Sequence, residues 1–108
     1  MLSLLKKPEA KPTTGQDKIV VAKDLFTSGQ FPVVTTGEIP KKGIRKIIGL
    51  AAYRGYDMEQ AFYGMISRAL SNGAHAIVGY QENVAFHPDG SKYISCYGTA
   101  VRLMDVDA

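Results

Sequence analysis

The spacing of apolar positions changes along this chain, and each change marks an element. Met58, Ala61, Phe62, Met65, Ile66, Ala69 and Leu70 recur at three- and four-residue steps, which makes one apolar stripe over about four helical turns. Asp57 stands where an N-cap is wanted, and Gln60 follows three residues on, as in a capping box. Asn72-Gly73 supplies a left-handed stop. Gly64 lies mid-helix, costs about 1 kcal/mol relative to Ala, and reads as allowing a close approach to a sheet.

Beyond Gly73 the period falls to two. Residues 74–86 and 91–103 read as two strands joined by His87-Pro88-Asp89-Gly90, which suits a type I turn with a glycine bulge. That turn places His87 opposite Ser91, Val84 opposite Ile94, Glu82 opposite Cys96, Tyr80 opposite Gly98 and Val78 opposite Ala100. One hairpin face is then largely apolar, with Glu82 as the exception. The other carries Gln81, Asn83, Ser95, Tyr97 and Thr99.

Upstream, FPVVTT at 31–36 is β-prone, with Pro32 at a strand start or on an edge because it donates no ladder hydrogen bond. A second strand is expected over about 44–53, with Ile44, Ile48, Leu50 and Ala52 on one face and Arg45, Ile47, Gly49 and Tyr53 on the other. Residues 19–26, IVVAKDLF, read as a short strand or one helical turn. Residues 1–18 hold Pro8, Pro12 and Gly15 with few apolar groups after Leu5, and read as a disordered basic tail. Residues 19–108 then form a single domain. The expected fold is α+β in the order β-β-α-β-β, one helix packed on a four-stranded sheet, with the helix crossing between parallel strands.

The lengths do not match. The helix from Asp57 to Asn72 is about 24 Å long at 1.5 Å per residue, whereas a strand over 74–86 is about 43 Å at 3.3 Å per residue. Val84, Phe86 and Ile94 fall on the apolar face beyond the helix. Such a patch marks an interface, so a homo-oligomer is expected. The alternative is that residues 19–26 fold over the overhang.

Composition narrows the function classes. The 108 residues fit one domain and are 45% hydrophobic, as a folded protein with an ordinary core requires. Part of the formal charge of +3 sits in the N-terminal tail. Only Lys41, Lys42, Arg45 and Lys46 cluster, short of the dense basic face of a nucleic-acid binder. The single cysteine, Cys96, excludes an intrachain disulfide and fits a reducing compartment. The apolar run in MLSLLKKPEA is too short for a secretory signal, and no stretch reaches the ~20 apolar residues of a membrane span. The expected location is the cytoplasm.

Four pieces resemble the YbjQ-like family, small proteins often labelled as heavy-metal-binding: VVTTGEIP near the start, IIGLAAYRG on the second strand, the passage from Ala69 to Tyr80, and YGTAVRL at the end. The resemblance spans about residues 32–103, roughly two thirds of the chain. It implies a dodecin-like subunit that assembles into rings, pentamers first among them. The longer charged insertion usual between the second strand and the helix is replaced here by Tyr53-Arg54-Gly55-Tyr56, and His75 stands where the family often has Asn.

The family label suggests a divalent or heavy-metal ion, for which His75, His87 and Cys96 are the available ligands. Metal sites gather donors within about 2.0–2.3 Å of one ion. On the predicted hairpin His75 and His87 lie about 40 Å apart, and Cys96 about 16 Å from His87. A site built on His75 and Cys96 could therefore form only across subunits. Otherwise Cys96 reads as a small buried group, His75 as a hydrogen-bonded strand entrance and His87 as a turn residue. Glu82, if buried, needs a partner or a raised pKa; on the overhang it meets a Lys or Arg of a neighbour. The Tyr-rich hairpin face could stack a planar ligand. Ser95 and Cys96 sit in a regular strand without a nucleophile elbow, so nothing specifies a reaction. The functional expectation is a ring-forming protein that binds a metal ion or small ligand at subunit junctions, with a structural or protein-interaction module as the alternative.

Overall fold

The computed structural model describes residues 15–104. The first fourteen residues of the expected tail lie outside the described residues. Helix α1 (Gly15–Thr27) already begins within the stretch read as tail and runs through residues 19–26. The run Ile19-Val20-Val21 looks like a strand in sequence. It is helical because Ala22, fully buried, lets α1 lie close against a second helix, and packing overrides weak propensity. Gly29, at φ 83°, ends α1 in a Schellman motif. The Gly29 N–H donates to Phe26 O at 3.1 Å and the Gln30 N–H to Leu25 O at 2.9 Å.

Strand β1 (Ile44–Gly55) leads into helix α2 (Met58–Ser71), then strands β2 (Ala76–Phe86) and β3 (Lys92–Leu103). Asp57 caps α2 as expected, its Oδ1 accepting from the Gln60 N–H at 2.7 Å. The Gln60 side chain reaches back to the Tyr56 N–H, one residue before the cap. Gly73, at φ 82°, closes α2 with a second Schellman pair: Gly73 N–H to Leu70 O and Ala74 N–H to Ala69 O, both 3.0 Å. Among the described residues no helix is long and apolar enough to cross a membrane.

The sheet has three strands in the order β1-β3-β2, with β3 antiparallel to both neighbours. β1 and β2 therefore run parallel, and α2 joins them with β3 inserted between. The fourth strand expected at 31–36 is not formed as such. That segment makes one parallel bridge, Val33 to Ile77, and its hydrogen bonds reach only residues 77–80 of β2. Pro32 lacks a donor, and β2 departs from regular geometry at Gly79, φ 64°.

That irregularity also corrects the hairpin register. Val84–Ile94 and Glu82–Cys96 pair as expected, and the His87 N–H donates to Ser91 O at 2.8 Å. Between Val78 and Gln81 the register shifts by one, so Val78 pairs with Thr99 and Ile77 with Ala100. Tyr80 stays on the helix side, while Val78 moves to the other face. A bulge inserts one residue and reverses the alternation beyond it. β1 behaves the same way, with irregularities at Ile44/Lys46 and Ile47/Gly49. Ala51 rather than Leu50 faces α2, and Leu50 is 77% exposed.

Two apolar clusters result, one on each face. Met65, Ile66, Ala61 and Ala69 of α2 pack with Ala51, Ile77, Ile94, Cys96 and Ala100 of the sheet and with Ala22 and Phe31. On the opposite face Ala76, Val78, Val101 and Leu103 lie beneath Ile39 and Val34. Helix α2 packs chiefly on β1 and least on β2. Helix α1 packs on α2 through Phe26, Phe62 and Tyr63, and leaves the end of the hairpin open. Val84 is 50% and Phe86 69% exposed, whereas Ile94 is buried.

Candidate functional site

The helix side of β2 is where the fold leaves polar chemistry next to open apolar surface. Because α2 sits over β1, a cleft of about 400 Å³ remains between the helices and β2, lined by Phe26, Met58, Phe62, Tyr63, Tyr80 and Glu82. Phe62 meets Phe26, Tyr63 and Tyr80 edge-on at centroid distances of 5.0, 5.3 and 5.3 Å, the geometry aromatic quadrupoles favour. Glu59 at the rim is paired with Lys23 of α1 at 2.8 Å.

Glu82 is exposed. Its partner is the Tyr80 hydroxyl, which donates to Oε1 at 2.6 Å. The same hydroxyl lies 3.2 Å from the Sγ of Cys96. The shorter, charge-assisted contact to Glu82 is the stronger, and the Cys96 sulfur is the weaker acceptor of the same hydroxyl. Burial first, then its contacts with Cys96 and Glu82, push the Tyr80 pKa far above the ordinary 10.0. Burial likewise raises the Cys96 thiol above 9.0. The result is a chain from a buried thiol through a protonated phenol to a surface carboxylate. Its chemistry is orientation rather than nucleophilic attack, since a thiol held protonated is a poor nucleophile.

The candidate metal ligands are not brought together. Cys96 is fully buried on the helix face of β3. His75 lies at the other end of the sheet, where its N–H donates to Val101 O at 2.9 Å, five residues and about 16 Å along β3 from Cys96. The His75 Nδ1 accepts the Leu103 N–H at 3.0 Å, so the lone pair of that nitrogen is occupied and the ring proton sits on Nε2. His87 stays in the turn with its ring 4.6 Å from that of Tyr93. Among the described residues no group of three or more His, Cys, Asp or Glu side chains could hold a metal ion.

The Tyr-rich face is partly occupied as well. The Arg54 guanidinium covers the Tyr93 ring at 4.9 Å, and the Tyr97 hydroxyl donates to Gln81 Oε1 at 3.2 Å. The sequence reading missed the aromatic cleft because it needs Phe26, on an element whose helical state only packing decides. Phe62 in the apolar stripe, with Tyr63 next to it in sequence, was the available signal.

No family model and no curated protein matches the chain. Among solved structures it is similar to a crystal structure at 2.73 Å of a protein with unknown function, belonging to the DUF74 family, from Pediococcus pentosaceus ATCC 25745. That similarity has 14% identity and a TM-score of 0.46, and covers 67% of this chain and 96% of the other.

Proposed function

We propose that this chain is a ring-forming subunit whose copies associate through the sheet edges and bind a small ligand at their junctions. The observation that carries the reading is the uncovered end of the hairpin. Val84 and Phe86 stand open on the helix side of β2, and the segment alongside that strand pairs no further than Tyr80. At the other edge of the sheet, Ile47 and Leu50 of β1 are 66% and 77% exposed. An edge strand with open apolar groups is a template for pairing. The two edges differ, so a contact between them is heterologous, and heterologous contacts close into rings when the rotation permits. The pentamer implied by the family resemblance is the ring size to test first.

The aromatic cleft borders the open hairpin end through Met58 and Glu82, which favours an organic ligand there. A metal ion shared by His75 and Cys96 across subunits has less support, because the thiol is buried and the His75 Nδ1 lone pair is occupied. Sedimentation equilibrium or light scattering at micromolar concentration tests the assembly. A ring of defined copy number is the expected result, and a stable monomer sinks the proposal.

A further inference from the structure

A second concavity lies at the opposite end of the sheet from the aromatic cleft, where α1 and α2 end and β1 begins. It measures about 620 Å³, within the range of small-molecule sites. Its apolar wall includes Phe31 and Leu103, both buried. Its polar lining includes Lys42, Arg45, His75 and Arg102, and among the described residues no carboxylate lines it.

Each donor has a defined state. The Arg102 Nη1 donates to the Gly73 carbonyl, which offsets the negative pole of the α2 C-terminus. Lys42 and Arg45 have no carboxylate within ion-pair distance among the described residues. His75 accepts the Leu103 N–H through Nδ1, so Nε2–H is its free donor. Two cations that have no ion-pair carboxylate among the described residues thus share one cavity with an imidazole N–H donor and an apolar wall.

We infer that this cavity is a binding site for a small phosphomonoester with an apolar body. A phosphomonoester carries a charge of about −1.5 to −2 at neutral pH, which matches Lys42 and Arg45. Its oxygens can accept from an Arg fork and an imidazole N–H together. The apolar wall gives the rest of the molecule somewhere to bury. The inference names a ligand chemistry at a place separate from the aromatic cleft, and it holds for a monomer as well as for a ring.

The test is an NMR titration of the full chain with phenyl phosphate, following the His75 side chain, with inorganic phosphate and benzyl alcohol as controls and light scattering on the same samples. Phenyl phosphate is expected to shift His75 saturably and to bind about tenfold more tightly than inorganic phosphate, because of its ring. Benzyl alcohol is expected to leave His75 unmoved. Lys42→Gln and Arg45→Gln, both at exposed positions, are each expected to weaken binding about five- to tenfold. The inference is overturned if His75 does not shift, if benzyl alcohol binds as well, or if both variants bind like the parent chain. A monomer that binds phenyl phosphate overturns the assembly alone. A ring whose His75 ignores it overturns the phosphate site alone.

Discussion

Gly64 of α2 faces the ring of Tyr53 on β1 at a distance that leaves no room for a Cβ atom. The Arg68 guanidinium, one helical turn on, lies over the same ring at 4.9 Å. The mid-helix glycine therefore sets how closely α2 approaches β1, and with it how far α2 stays from β2.

Gly64→Ala gains about 1 kcal/mol of helix propensity but loses about 1–3 kcal/mol to overpacking against Tyr53. A net loss of about 1 kcal/mol is expected in urea unfolding. In a Tyr53→Ala background the same substitution is expected to stabilise. If it destabilises equally in both backgrounds, the Tyr53 contact is not the cause.

Asp57→Ala removes the acceptor for the Gln60 N–H and is expected to cost about 1 kcal/mol, whereas Asp57→Asn retains most of the cap. Chemical denaturation of both variants checks this, and equal losses would contradict capping as the mechanism.

Phe26→Ala removes the edge-to-face contact with Phe62 and is expected to lower stability by about 1–3 kcal/mol. The near-ultraviolet circular dichroism of Tyr63 and Tyr80 is expected to weaken with it. An unchanged unfolding midpoint would mean that α1 contributes little to the fold.

Stability is expected to fall in alkaline solution. The Cys96 thiol and Tyr80 phenol both have folded-state pKa values above their ordinary 9.0 and 10.0. The folded chain therefore holds protons that the unfolded chain releases. Their contribution is complete below the ordinary values and is lost as pH rises through the folded ones. The urea midpoint is expected to drop between about pH 8 and about pH 10.5, and less steeply in Tyr80→Phe. A midpoint that rises over this range contradicts the arrangement.

Val84→Asp and Phe86→Asp alter exposed side chains and are expected to change subunit stability by no more than about 0.5 kcal/mol. Sedimentation is expected to show smaller species for both. Unchanged assembly would remove the hairpin end from the interface.

Sequence by itself determined the elements whose signals are local. The α2 stripe, its Asp57 cap, the Gly73 stop and the hairpin turn at 87–91 depend on residues a few positions apart, so spacing and turn chemistry suffice. The same pattern placed Glu82 opposite Cys96, where they stand. Only the tertiary structure decided whether IVVAKDLF is helix or strand, because Ala22 and Phe26 need α2 to pack against. Packing likewise decided that 31–36 stops short of a strand and that β1 and β2 bulge, which moves Val78 and Leu50 off the helix-facing side. The aromatic cleft and the basic cavity are both products of those long-range choices. Each gathers side chains from segments far apart in the chain, and no periodicity within one segment can show where two segments meet.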